Sequence, residues 1–169
     1  GAAQVVLLGP PNVGKSLLHA RLTGSGAHDA PYPFTTQFPE PGMMPHADVH
    51  FHLIDLPAVS SRHPVPWLAS ALQMADAALL VVDPGEPSCV GDLQDLHAVL
   101  RERRISLTGR WDDVASPGRA DMDADVDPFA LRLPTLMLVN KVERLADLRA
   151  ELEALRELAA VAYPMLAVS

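Results

Sequence analysis

A single cysteine, Cys89, in 169 residues excludes an intramolecular disulfide and a cysteine metal cage. It fits a reducing, cytoplasmic setting. No apolar run reaches the roughly 18 residues that a membrane-spanning helix needs, and no signal peptide is visible. Basic residues are few, 13 lysines and arginines against 21 aspartates and glutamates, for a net charge of −8. That balance argues against a broad nucleic-acid-binding face on this chain, and any phosphate site has to be built locally. Aromatics make up 5% of the chain, while apolar residues make up 49%, an ordinary composition for one globular domain.

Short apolar runs alternate with helical spacing. "QVVLL" (4–8), "DVHFHLIDLP" (48–57), "AALLVVD" (77–83), "TLMLVN" (135–140) and "PMLAVS" (164–169) read as strands. Helices are expected over 14–22, 66–75, 90–104 and, as one long amphipathic segment, 142–162. Residues 24–46, rich in Gly, Pro and His, are expected to hold little regular structure, and 106–133 to form a long polar excursion. Strands alternating with helices predict an α/β domain with a mostly parallel sheet.

"GPPNVGKS" (9–16) lies between a strand and a helix, the context in which G-x-x-x-x-G-K-S is a phosphate loop. Gly9 and Gly14 let backbone N–H groups turn inward, where with the helix N-terminus they hold a phosphate. Lys15 adds positive charge against the β- and γ-oxygens, and Ser16 offers a hydroxyl to Mg²⁺. The candidate nucleotide cradle is Gly9, Pro10, Asn12, Val13, Gly14, Lys15, Ser16 and Leu17.

Further pieces follow in order: "YPFTT" (32–36), "DLPA" (55–58), "NKVE" (140–143) and the terminal "AVS". Together with the loop they resemble the translation-factor-related GTPases, and most closely the Obg and DRG group, for which Y-P-F-T-T is a distinctive switch sequence. The resemblance implies a P-loop NTPase of the Ras-like G-domain type, with a six-stranded, mostly parallel sheet, helices on both faces and the final helix absent. It implies one domain, 1–169, from a longer multidomain protein. GTP and GDP are the implied ligands, Mg²⁺ the cofactor and water the nucleophile. Thr36, with Thr35 as the alternative, would meet Mg²⁺ and the γ-phosphate, and Asp55 would support the metal. Partners would be ribosomes or ribosomal RNA, reached through other domains.

Several positions depart from the family pattern. Ala58 replaces the glycine of D-x-P-G, so a conformation with positive φ would be costly there. Val59 stands where Ras-like proteins carry the glutamine that orients attacking water, a trait Obg-type GTPases share. Many relatives supply charge instead with K⁺ held by an asparagine at the place of Asn12. The resemblance thus implies slow, K⁺-stimulated hydrolysis, with Lys15, Thr36 and Asn12 as the catalytic set. Asn12 is equally readable as a turn residue. Glu143 replaces the aspartate that reads guanine, as it does in the Obg-like ATPases. Asn140 and Lys141 are kept, which favours guanine. Ser169 matches the start of the S-A motif. An ATPase of this fold, or a nucleotide-sensing module with little hydrolysis, are the alternatives.

Other features are set aside. "DMDADVD" (121–127) lacks the glycine and glutamate of a Ca²⁺ loop. His46, His50 and His52 are expected to face solvent, and Trp67 and Trp111 to anchor core or loops. Nothing singles out Arg62 or Arg119 as an arginine finger.

Overall fold

The computed structural model describes residues 3–24, 39–111 and 129–168. Its strands are β1 (Ala3–Leu8), β2 (Glu40–His46), β3 (Val49–Asp55), β4 (Ala77–Val82), β5 (Ile105–Thr108), β6 (Leu131–Val139) and β7 (Met165–Ala167). Its helices are α1 (Lys15–Thr23), α2 (Leu68–Gln73), α3 (Cys89–Glu102) and α4 (Leu148–Leu158). The strand order is β2-β3-β1-β4-β6-β5, with β7 also on β6. Every pairing is parallel except β2 with β3.

Alternation along the strands divides the core in two. Val6 and Leu8 of β1 join the larger apolar cluster, which takes in Leu72 of α2, Leu93 and Leu96 of α3 and Leu155 of α4. Leu7, between them, joins a smaller cluster with Val13, Leu53, Val81 and Leu138, against which Leu18 and Leu22 of α1 pack. So α1 lies on one face and the other three helices on the opposite face, as successive strand residues must point to opposite sides.

Four expectations about the secondary structure need correction. Among the described residues the sheet has seven strands, not six. Residues 40–46 are not irregular but form β2, joined to β3 by a two-residue turn in which Ala47 has φ 51°. Pro41, Gly42 and Pro45 hide this strand, because proline removes a ladder donor; an edge strand tolerates that loss on its outer side. The polar excursion is shorter than expected at both ends, since residues 105–108 pair with residues 131–134. The long helix read over 142–162 is also broken. A 3-10 turn at Val142–Arg144 precedes Asp147, whose side chain accepts from the Ala150 N–H at 3.2 Å and caps α4. Trp67 packs partly buried against the large cluster, whereas Trp111 is exposed.

The far end of the sheet carries a polar latch. His97 on α3 takes a 2.6 Å hydrogen bond from the buried Tyr163 hydroxyl, and Gln94 donates to the Leu158 carbonyl at 2.8 Å. Burial, with help from Arg101, lowers the His97 pKa, against a hydrogen bond to the Ala159 backbone. Its folded value thus lies below the ordinary 6.5, and the unfolded chain binds the extra proton. The stability His97 contributes is full above pH 6.5 and is lost as pH falls through the folded value. Thermal melts of the wild type should drop between pH 8 and pH 5 by more than those of His97→Gln. Parallel curves would remove His97 from the pH response. Cys89 is buried at the start of α3, and desolvation raises its thiol to about 11, so it is no nucleophile.

Candidate functional site

Four parallel strands deliver the candidate groups to one edge. β1 runs into the phosphate loop, β3 ends on Asp55, β4 leads to Asp83 and β6 leads to Asn140. The C-terminal edge of such a sheet is where ligands bind in open α/β folds.

The loop reverses through two left-handed residues, Asn12 at φ 64° and Gly14 at φ 81°. Asparagine tolerates that conformation, and the Asn12 side chain is exposed. Gly9, Pro10 and Val13 are buried and Leu17 is exposed. Gly9 has no room for a Cβ, which would lie 2.8 Å from the Val81 carbonyl oxygen. Gly14 forms the N-cap of α1 without a side-chain cap, leaving the first-turn N–H groups for an anion.

Lys15 and Asp55 are both buried, and the ammonium donates to the Asp55 carboxylate and to the Leu56 carbonyl. The Ser16 hydroxyl donates to the other Asp55 oxygen at 2.8 Å. A cation, a hydroxyl and a carboxylate thus converge below the helix N-terminus. Two of them are oxygen donors, the set a hard divalent cation takes.

Ala58 is buried and has a negative φ, so its Cβ carries no left-handed penalty. The Val59 N–H donates to the Gly9 carbonyl at 2.9 Å, and its side chain is 2% exposed within the large apolar cluster. Val59 also borders a cleft of about 680 Å³, together with Asn12, Arg62, His63, Glu86 and Asp95.

The Asn140 amide donates to the Val13 carbonyl at 3.0 Å, tying the second motif to the phosphate loop. Lys141 lies 3.1 Å from Asp83, a buried carboxylate that sequence reasoning took only as a strand end. Its signal was available: an acid closing an apolar strand, as Asp55 does. Glu143 is exposed on the 3-10 turn. Val168 hydrogen-bonds both Val139 and Val142, bringing the chain's last strand to this motif. Thr35, Thr36, Arg119, residues 121–127 and Ser169 lie outside the described residues. His46 and His50 are exposed, and among the described residues no helix is long and apolar enough to cross a membrane.

A phosphate loop joined to a motif-bearing parallel sheet in this order defines a P-loop GTPase G domain. The sequence profile of the 50S ribosome-binding GTPases matches residues 4–108, and the chain belongs to that family. Developmentally-regulated G-protein 2 of Arabidopsis thaliana is 42% identical over 59 residues, 35% of this chain and 15% of that protein. GTPase Obg of Borrelia garinii subsp. bavariensis is 39% identical over 57 residues, 34% of this chain and 17% of that protein. This chain therefore matches less than a fifth of the length of these relatives. Among solved structures, NFeoB of S. thermophilus bound to GDP.AlF4- and K⁺ superposes with a TM-score of 0.60 at 21% identity. That match covers 99% of this chain and 55% of the other and supports the shared fold.

Proposed function

We propose that this domain binds GTP and GDP with Mg²⁺ and hydrolyses GTP slowly, as an Obg/DRG-type switch. The observation that carries the reading is the convergence of Lys15, Ser16 and Asp55 beneath the uncapped N-terminus of α1. Ser16 and Asp55, with Thr36, would hold the Mg²⁺, which when bound neutralises charge on the β- and γ-oxygens. The ammonium of Lys15 moves from Asp55 toward the same oxygens. The loop N–H groups fix the β-phosphate, and Asn140 and Lys141 frame the base while Glu143 offers its carboxylate. A K⁺ ion held by Asn12 would add charge where Val59 supplies none. Contact with the ribosome or its RNA would run through segments beyond this acidic domain; the family's description motivates that reading.

Competition titration of GTP, GDP, ATP and ADP with Mg²⁺, in KCl and in NaCl, tests this. A guanine preference of about tenfold or more, near 1.4 kcal/mol, is expected. Adenine preference would move the domain to the ATPase branch, with Glu143 as the cause. Equal hydrolysis rates in the two salts would remove K⁺. One observation favours a second reading, a nucleotide sensor with little turnover. The Val59 side chain is committed to the core, and that position has no group to hold water.

A further inference from the structure

We infer that Asp83 is a positioning residue of the base pocket, holding Lys141 across the phosphate loop before any nucleotide arrives. The inference rests on the reading of residues 140–143 as the base motif. Asp83 follows β4, is 2% exposed and uses both oxygens: Oδ1 accepts the Gly85 N–H at 2.9 Å, and Oδ2 lies 3.1 Å from Lys141 Nζ. The first bond fixes the carboxylate in its own turn, so the second fixes the lysine.

Lys141 would not adopt this pose unaided. Its backbone is left-handed, at φ 58°, a conformation that side chains with a Cβ rarely adopt. The backbone on either side is tied down: the Asn140 N–H donates to Val82 at 2.8 Å and the Val142 N–H to Val168 at 3.4 Å. The stem then runs over Gly14, where an added Cβ would lie 3.7 Å from Lys141 Cε and 2.7 Å from the Asn140 amide nitrogen. Glycine at 14 therefore serves two ends: it turns the phosphate loop and leaves space for the base motif to cross it. With its ammonium anchored, the lysine presents its methylenes as a prepared surface for a purine. A free lysine would have to be ordered at each binding event, at the expense of affinity. Asp83 thereby links the base and phosphate halves of one pocket.

The test is a double-mutant cycle on the dissociation rate of N-methylanthraniloyl GDP by stopped flow, using the whole chain. Asp83→Asn should raise the rate about tenfold, the scale of one charge-assisted hydrogen bond. In a Lys141→Met background the same change should have less than about a twofold effect. Independent, multiplying effects would place Asp83 in the Gly85 turn alone and overturn the inference, as would an unchanged rate in Asp83→Asn. Should Asp83→Asn fail to fold, Asp83→Glu moves the carboxylate by one methylene and must show the same dependence on Lys141. Wild-type retention of the GDP over the ADP analogue reads the base assignment separately. The cycle is run on whichever is held longer, and failure to hold either overturns both.

Discussion

Lys15→Ala should abolish multiple-turnover phosphate release from GTP, with the rate falling by about 10²–10³-fold, the cost of removing one preorganised charge from a developing anion. Two physical facts make the effect large. The ammonium is buried with the helix N-terminus of α1, so its field acts in a medium of low dielectric and is little screened. It also already sits on Asp55 and the Leu56 carbonyl, so its transfer to phosphate exchanges one set of acceptors for another rather than stripping water from a free lysine. The substitution has a second consequence. Asp55 is fully buried, and removing the cation beside a buried carboxylate costs about 3–5 kcal/mol where nothing replaces the charge. Thermal melts of Lys15→Ala should therefore fall well below those of the wild type, and added Mg²⁺ should recover part of the loss by meeting the oxygens of Asp55 and Ser16. Steady-state phosphate release at the wild-type rate would separate the activity from this loop. An unchanged melt in Mg²⁺-free buffer would separate Lys15 from the stability of Asp55.

The phosphate loop was legible because its chemistry and its fold demand the same residues. Gly9 must approach the Val81 backbone and Gly14 must turn left-handed under the Asn140 amide, so the glycines carry structural information as well as function. Asp55 was legible for a similar reason: an acid ending an alternating strand has few roles other than at the sheet's edge. β2 was not legible, because two prolines and a glycine contradict strand propensity and are tolerated only through pairing with β3, a tertiary fact. The same holds for β5, four residues at the margin of a polar segment whose partner begins at Leu131. The break before α4 was visible in Asp147, a capping residue that the single amphipathic helix expected over 142–162 runs straight through. Asp83 and Lys141 meet across 58 residues of sequence, a contact that no local pattern announces. The absence of glutamine at position 59 was plain in the sequence, but where the valine points was not.

That direction decides what repair can achieve. Val59→Gln, the substitution that would copy a Ras-like switch, should not restore fast hydrolysis and should destabilise the domain by about 2–5 kcal/mol. The backbone of Val59 is pinned by its N–H to the Gly9 carbonyl, and its side chain lies in the cluster that includes Leu8, Leu56, Leu68 and Leu93. A glutamine pointing as the valine does places an amide among those apolar side chains and adds volume to a filled core. The tie to Gly9 holds the backbone of position 59 in place, so an amide turned toward the cleft it shares with Asn12 and His63 leaves the core space of Val59 unfilled. Chemical denaturation and single-turnover hydrolysis measure the two halves of the prediction. A variant as stable as the wild type and tens of times faster would mean that the segment 58–63 leaves the core when GTP is bound. A destabilised variant with an unchanged rate and an unchanged ratio between KCl and NaCl would mean that charge near the phosphates, supplied by Lys15 and a cation at Asn12, carries the catalysis without help from position 59.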